Sequence, residues 1–185
     1  MGIIKRKKIV DPDAKVDIFS EAFSSVLYIG HIPVASGTFG SLAGLLFFFI
    51  PWFNNYLTVG GATVVFFVLG VITSQNMIKR YGHDPSVVVM DEVVGMWVTM
   101  LFVLPALNIV DMPVKLIIFG VGFLTFRFFD IVKVWPTKYF DRMNSGYGIM
   151  MDDVMAGIYA GLITLLISNL LILVIIFKGL GGKLF

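Results

Sequence analysis

Long apolar runs separated by short polar segments make up most of the chain. The runs cover residues 41–57, 58–78, 93–110, 114–132 and 154–177. A helix needs about 20 apolar residues to cross the roughly 30 Å hydrocarbon core of a bilayer. The run 154–177 exceeds that length, whereas 93–110 and 41–57 are short and contain Pro105 and Pro51. The pattern predicts an all-α, polytopic membrane helix bundle with five spans, or with four spans and a re-entrant or interfacial segment at 41–57.

The N-terminal part of the chain is more polar than the rest. Residues 1–15 form a polar tail, and apolar positions recur at helical spacing through 16–29. Asp13 or Asp17 is placed to cap such a helix, and Lys15, Ser20 and Ser24 fall toward its wetter side. We therefore expect an amphipathic helix at 16–29 that lies in the membrane interface or packs on the bundle. A core helix of the soluble kind is the alternative.

Composition indicates one integral membrane domain over residues 1–185. Hydrophobic residues make up 58% of the chain and charged residues 14%, and a soluble domain of this size would leave large apolar patches exposed. The net charge of +2 is too small to indicate a nucleic-acid partner. The chain has no cysteine and two histidines. This excludes thiolate nucleophiles and Cys-ligated metals, and argues against a histidine-rich zinc site.

The distribution of lysine and arginine predicts the orientation in the membrane. Loops 79–92 and 133–152 contain five of these residues and the N-terminus contains KRKK, whereas the loops on the opposite side contain only Lys115. By the positive-inside rule, the N-terminus and both charged loops face the cytoplasm. Lys178 and Lys183 would then lie outside, against the rule, but the lysines and arginines of the other segments outnumber these two.

Charged residues are concentrated between Arg127 and Asp153, between two apolar runs. In the predicted topology, acids from three separate stretches reach the same membrane surface: Asp91, Glu92, Asp130, Asp141, Asp152 and Asp153. The two acidic pairs are expected to open helices, where the helix dipole stabilises anions. Arg127 and Lys133 are expected to share one helix face with Asp130. Each acid taken alone is also explained by helix capping or by solvation.

Clustered carboxylates repel one another unless a cation neutralises them. An all-oxygen set without histidine or cysteine suits a hard ion, Mg²⁺ first, and the neighbouring bases suit a phosphate group. Together they indicate phosphoryl chemistry on a lipid headgroup at the membrane surface. The alternative is a small cation-coupled transporter or channel subunit that uses these acids as an ion path. That alternative predicts carboxylates near mid-span, and these lie at span ends.

A glycine-rich segment precedes the first apolar run. Gly37 and Gly40 flank the point near Thr38 where a helix is expected to begin. Glycine lets backbone N–H groups approach an anion, and a helix N-terminus favours negative charge. The segment is a weak indication of phosphate binding, because glycine-rich helix starts are common.

Five motifs follow one another along the predicted cytoplasmic side. They are GTFGSL at 37–42, HDPSVVVMDEVVGMW at 83–97, FRFFDIVKVWP at 126–136, FDR at 140–142 and GYGIMMDDVMAG at 146–157. In this order they resemble the bacterial phosphatidylglycerophosphatase A family. The chain departs from the family pattern at Ser36 and Val134, where the family has proline. Both departures concern loop geometry more than chemistry.

The resemblance implies Mg²⁺-dependent hydrolysis of phosphatidylglycerophosphate to phosphatidylglycerol and phosphate. The chain would cross the bacterial cytoplasmic membrane several times, in contact with membrane lipids, with its active site facing the cytoplasm. By this resemblance, the catalytic acids would be Asp91, Glu92, Asp130 and Asp153. The metal ligands would be these four together with Asp152. The substrate-binding residues would be Gly37, Thr38, Arg127, Lys133 and Arg142. Either an activated water or a carboxylate that forms an aspartyl-phosphate would attack phosphorus.

Overall fold

The computed structural model describes residues 10–83 and 85–181, with side chains as far as Lys178. It contains seven α-helices: α1 Ile18–Ser24, α2 Ser36–Leu46, α3 Tyr56–Tyr81, α4 Met90–Ile109, α5 Met112–Val132, α6 Thr137–Asp141 and α7 Gly146–Gly181. Short 3-10 turns lie at Ile29–His31 and Phe47–Phe49. The described residues form no strand, which confirms the all-α prediction. The basic segment at 5–8, Asp84 and Lys183 lie outside the described residues.

Helix α4 is the centre of the bundle. Val94, Met96, Trp97 and Met100 are completely buried along it, and it packs against α2, α3, α5 and α7. A helix that is apolar on all sides belongs in the interior of a bundle. The indole N–H of Trp97 donates to the Gly44 carbonyl at 2.9 Å, so the buried ring leaves no polar group unsatisfied there.

Among the described residues, three helices are long and apolar enough to cross a membrane: Tyr56–Tyr81, Met90–Ile109 and Gly146–Lys178. This is fewer than the predicted four to five. Helix α5 has the length of a fourth span with 21 residues, but it carries Lys115, Arg127 and Asp130. The run at 41–57 is interrupted, because α2 gives way to a 3-10 turn before Pro51. The apolar helix Ser36–Phe49 rises only about 20 Å, which favours the re-entrant or interfacial alternative for this run.

The outer surface of the bundle is apolar. Exposed Val, Leu, Ile and Phe side chains follow one another along three helices, for example Val64 and Val68 on α3, Leu124 and Phe128 on α5, and Leu166 and Leu170 on α7. Water penalises such a continuous apolar surface, whereas lipid does not. The surface is that of a membrane protein.

Helix α1 is shorter than the amphipathic helix predicted at 16–29. Asp17 caps it, accepting hydrogen bonds from the Ser20 hydroxyl at 2.6 Å and the Ser20 amide at 2.8 Å. These bonds hold the pKa of Asp17 below its ordinary value. The helix ends because the three residues from Val26 take positive φ, between 50° and 69°. At the start of the described chain, Val10 and Asp11 donate backbone hydrogen bonds to the Arg80 carbonyl, which ties this part of the polar tail to the end of α3.

The serine positions of α1 are buried, contrary to the prediction. Ser20 and Ser24 were expected on the wetter side, but they are 2% and 0% exposed, whereas Phe19, on the predicted apolar side, is 60% exposed. Phe23, on the same predicted apolar side, does pack against the core. Asn76 of α3 donates to the Ser20 hydroxyl at 3.1 Å. Small polar side chains commonly pack between helices in lipid, so a serine on a helix does not by itself mark the side that faces water.

The α4–α7 contact determines where the site lies. Gly95 of α4 and Gly157 of α7 face each other, and a Cβ on Gly157 would overlap the Gly95 carbonyl oxygen. A Cβ on Gly95 would lie 2.7 Å from the Asp153 carbonyl oxygen. Small residues allow this close approach. It brings the first turn of α4 beside Asp153.

Candidate active site

Three carboxylates from two helices converge at the N-terminal end of α4. Asp91 and Glu92 lie in the first turn of α4, and Asp153 faces them from α7. One oxygen of each lies within 4.8 Å of the others. Asp91 is 9% exposed and Asp153 3%. We call these three residues the acid cluster.

Asp152 and Asp153 do not open α7, contrary to the prediction. The helix begins at Gly146, so the two acids lie in its second and third turns, beyond the reach of the N-terminal dipole. The helix starts early because Gly146 docks on α3: its N–H donates to Gln75 Oε1 at 2.8 Å, and a Cβ there would overlap the Val71 carbonyl oxygen. Burial against α4 therefore positions Asp153. By contrast, Asp91 and Glu92 open α4 as predicted.

Arg127 connects α5 to the acid cluster. Its guanidinium lies 2.8 Å from Asp130 and 4.0 Å from Glu92. The predicted pairing of Arg127 with Asp130 on one helix face is thus present. The same guanidinium therefore joins Asp130 to Glu92 of the acid cluster. Asp130 is a neighbour of the cluster, although it belongs to another helix.

Lys133 was expected on the same face as Asp130, and the structure places it elsewhere. It caps the end of α5 with φ 49°, in the left-handed region. From there its ammonium contacts both Asp141 and Asp152. Asp141 was recognised as part of the acidic surface but not as a partner of Lys133. The spacing of eight residues gives no helical signal, and only the turn between α5 and α6 brings them together.

The glycine-rich segment lies against this site. Gly37 is buried in the first turn of α2, where a Cβ would overlap Glu92 Oε1 and lie 3.1 Å from the Arg127 guanidinium. Glycine at this position makes room for the Glu92–Arg127 contact. The Thr38 side chain, half-buried on the same turn, makes no hydrogen bond to another described residue. Its predicted role in phosphate binding stays a prediction.

Arg142 does not join the acid cluster. It is exposed and lines a cleft of about 480 Å³ together with Trp135, Lys138, Tyr139 and Met143. We call this the basic cleft. The predicted substrate-binding bases are therefore divided between two places, with Arg127 and Lys133 among the acids and Arg142 in the basic cleft.

The acid cluster fits a hard divalent cation. Opposite ligands of Mg²⁺ lie about 4.2 Å apart, since each bond is about 2.1 Å, and the three carboxylate oxygens need only small movements to match that span. Glu92 Oε2 and Asp152 Oδ1 are buried without a hydrogen-bond partner among the described residues. Buried carboxylate oxygens without donors are unfavourable unless a cation or protons satisfy them. The donors are all oxygen, as Mg²⁺ prefers.

The match to a known family is extensive. A family model described as Phosphatidylglycerophosphatase A matches residues 22–168, a range that contains all the acids and bases of the site. The chain belongs to the phosphatidylglycerophosphatase A family. It is a phosphatase, which confirms the predicted enzyme class and disfavours the alternative of a transporter or channel.

Proteins from three bacteria are similar to this family member. "Phosphatidylglycerophosphatase A" of Haemophilus influenzae is 34% identical over 173 residues, 89% of this chain and 94% of the relative. The protein of the same name in Escherichia coli is 34% identical over 131 residues, 70% of this chain and 72% of the relative. A Bacteroides thetaiotaomicron protein named "Putative phosphatidylinositol-3-phosphatase" is 34% identical over 136 residues, 71% of this chain and 82% of the relative. No solved structure matches the chain.

Proposed function

We propose that the protein hydrolyses the phosphomonoester of phosphatidylglycerophosphate, giving phosphatidylglycerol and phosphate, with Mg²⁺ as cofactor. The observation that carries the proposal is the acid cluster at one end of an apolar bundle, with Arg127 and Lys133 beside it. Hydrolysis of a phosphomonoester is among the slowest uncatalysed reactions in water. A catalyst for it needs dense, fixed charge around phosphorus, and this site supplies such charge within reach of a lipid headgroup.

Each group of residues has a distinct role in the proposed mechanism. Asp91, Glu92 and Asp153 would hold Mg²⁺, which when bound polarises the phosphoryl oxygens and acidifies a coordinated water. Arg127 orients Glu92 and Asp130, and Lys133 orients Asp152. Asp130, a ligand in the sequence prediction, instead accepts the proton of the attacking water in this proposal.

The bond changes in the reaction balance as follows. The water oxygen bonds to phosphorus as the bond from phosphorus to the glycerol oxygen breaks. The attacking water gives one proton to Asp130 and keeps the other on the new phosphate. The glycerol oxygen takes up a proton from solvent water and leaves as the free hydroxyl of phosphatidylglycerol, and Asp130 returns its proton to solvent as inorganic phosphate departs.

We further propose that the site faces the cytoplasm from the bacterial inner membrane. The acid cluster lies at the same end of the bundle as the end of α3 and the α5–α6 turn, where the lysines and arginines of loops 79–92 and 133–152 lie. The opposite end contains the Asn54 and Asn108 region, joined by a 2.9 Å hydrogen bond, where positive charge is scarce. The positive-inside rule supports this orientation.

The test is phosphate release from phosphatidylglycerophosphate in mixed micelles by the purified protein. We expect activity with Mg²⁺, loss in excess EDTA and recovery when Mg²⁺ is restored. Mn²⁺ should substitute in part and Ca²⁺ poorly, since Ca²⁺ prefers more ligands at longer distances. Full activity in excess chelator would remove the metal from the mechanism. Absence of release under all these conditions would reject the substrate.

Phosphatidylinositol 3-phosphate is the second candidate substrate. It is favoured by one observation, the name of the Bacteroides thetaiotaomicron relative. The same assay with phosphatidylinositol 3-phosphate at equal surface concentration compares kcat/KM for the two lipids. A higher kcat/KM for phosphatidylinositol 3-phosphate would replace the first substrate with the second and leave the site unchanged.

A further inference from the structure

The bases near the active site form two classes. Arg127 is paired with Asp130 and Glu92, and Lys133 contacts Asp141 and Asp152. Lys138 and Arg142 make no side-chain ion pair or hydrogen bond with a described residue, although both lie on the same short segment as Asp141. Bases that neutralise the acids are thus separate from bases whose charge remains available to a ligand.

The two available bases line the basic cleft with aromatic walls. Trp135 and Tyr139 are 76% and 57% exposed there. The cleft is held in place by its surroundings, since Tyr159 of α7 donates to the Trp135 carbonyl at 2.8 Å and Thr137 is fully buried. It is an open cleft lined by two cations and two aromatic rings.

Two features connect the cleft to its surroundings. Arg142 follows Asp141 in the chain, and Asp141 is joined through Lys133 to Asp152, next to Asp153 of the acid cluster. Trp135 follows closely on the end of α5, where Ile131 and Val132 are 64% and 52% exposed. The segment that carries the cleft is therefore tied to the site by ion pairs and continues from an exposed apolar helix end.

We propose that the basic cleft binds the phosphodiester group of the lipid substrate while the acid cluster acts on its phosphomonoester. This inference rests on the proposed function, because phosphatidylglycerophosphate carries both groups, separated by one glycerol unit. The Arg142 guanidinium matches two oxygens of a phosphate in its planar fork, and Lys138 adds a second positive charge. Trp135 and Tyr139 have the amphipathic character of residues that settle at the headgroup level of a bilayer.

The surroundings favour a lipid over free phosphate. Inorganic phosphate has no apolar part to contact the exposed rings or the adjoining surface of α5. Two unpaired cations next to apolar surface are typical of an anionic headgroup site. The cleft would select a lipid with two phosphates over a small phosphomonoester, because only the lipid occupies both sites.

The kinetic test uses Lys138→Gln with Arg142→Gln, and two substrates. These are phosphatidylglycerophosphate in mixed micelles and glycerol 3-phosphate, which lacks the diester. We expect KM for the lipid to rise roughly tenfold or more, as two charge-assisted contacts are lost, with kcat changed far less. The preference for the lipid over glycerol 3-phosphate should fall by the same factor. The double variant Lys138→Arg with Arg142→Lys keeps both positive charges and should recover most of the preference for the lipid.

The matched control removes two other charges, with Lys15→Gln and Lys79→Gln. Both side chains are exposed on the same predicted side of the membrane. This variant should keep the wild-type KM, which excludes a general loss of attraction to anionic micelles. Equal effects of the two double variants, or an equal loss on both substrates, would overturn the proposal.

A binding measurement separates this inference from the proposed function. Short-chain phosphatidylglycerol carries the diester alone and is not hydrolysed. Its titration into wild-type protein in detergent should show saturable binding that Lys138→Gln with Arg142→Gln weakens roughly tenfold. Inorganic phosphate at equal concentration should not compete. Binding without hydrolysis of phosphatidylglycerophosphate would reject the proposed function and retain the cleft, whereas hydrolysis with unweakened binding in the variant would reject the cleft.

Discussion

A buried carboxylate is unfavourable unless something offsets its charge, and Asp153 is 3% exposed within 4.8 Å of the oxygens of two other acids. Arg127 and Lys133 approach the edges of this group through Glu92, Asp130 and Asp152. If the cluster holds Mg²⁺ as proposed, removing one carboxylate should weaken the site for the ion while relieving like-charge repulsion in its absence. The acids can therefore be tested one at a time.

The first prediction concerns Asp91→Asn and Asp153→Asn. Each keeps the shape of the side chain and removes one negative charge, so each should lower kcat/KM by at least about 100-fold, or about 2.7 kcal/mol. Unfolding in detergent without Mg²⁺ should occur at the same or a higher temperature, because like-charge repulsion is relieved. Asp111→Asn is the control, because asparagine still caps α5. Near-normal turnover in both variants, or loss that follows unfolding alone, would make the cluster structural.

The second prediction concerns Lys133, whose ammonium contacts Asp141 and Asp152 from a residue at φ 49°. Lys133→Gln leaves both carboxylates without this base, and we expect kcat/KM to fall roughly tenfold or more. Lys133→Gly tolerates the positive φ but lacks the charge, so its activity should fall equally. If Lys133→Gly kept wild-type activity, the role of Lys133 would lie in the backbone turn and not in the ion pairs. Activity is measured as phosphate release, with stability monitored by thermal unfolding.

At the scale of elements, the site depends on how closely two helices approach. Helix α4 contributes two acids and α7 the third, and Gly95 and Gly157 let their backbones come together three to four residues further along. Further small residues of α7 are buried beside this contact: Ala156 and Ala160 are fully buried. The geometry of the acid cluster and the packing of the two helices therefore depend on the same contact.

The third prediction is that Gly157→Ala disrupts both properties. Its Cβ would overlap the Gly95 carbonyl and lie 3.1 Å from Val98 Cβ, so α7 must shift away from α4. We expect a loss of about 1–3 kcal/mol in unfolding free energy and a fall in kcat at saturating Mg²⁺, because Asp153 moves with α7. Gly120→Ala on α5 is the control: its Cβ would meet nothing within 4 Å, so stability should change by at most about 1 kcal/mol. A stable, fully active Gly157→Ala would show that the helices tolerate a wider spacing.

At the scale of the whole molecule, apolar side chains cover the outside and charged groups gather at one end. The bundle is held in a membrane by the apolar helices α3 and α4 and by the exposed apolar surface of α5 and α7. The candidate site lies at the end of the bundle where α4 begins. The basic cleft lies at that same end. The direction in which this end faces determines which leaflet supplies the substrate.

The fourth prediction is that the site end faces the cytoplasm. The chain has no native cysteine, so single cysteines can be labelled without background. Lys79→Cys, at the site end of α3, should resist a membrane-impermeant thiol reagent added to intact cells and react after lysis. Met112→Cys, 51% exposed at the opposite end of the bundle, should react in intact cells. The reverse pattern would invert the topology and place the site on the wrong side for a lipid made inside.

The sequence by itself determined the class of protein and the chemistry of the site. Apolar runs of helical length and an acidic, cysteine-free surface segment are local properties, so composition and spacing were enough to predict an all-α membrane bundle with a cluster of carboxylates. The Arg127–Asp130 pair follows from helical spacing in the same way. Five motifs in order identified the family, because each motif carries its residues within a short stretch.

Tertiary structure alone decided which charged groups meet. Asp153 joins Asp91 and Glu92 because α7 starts early and packs glycine to glycine on α4, and no local pattern encodes a contact between helices so far apart in the chain. Lys133 leaves the face of Asp130 because the chain turns at a left-handed residue, a conformation that lysine rarely adopts and that its identity does not predict. The burial of Ser20 and Ser24 in α1 has a similar cause: helical periodicity shows that a helix has two faces, and only the surroundings decide which side chains meet lipid.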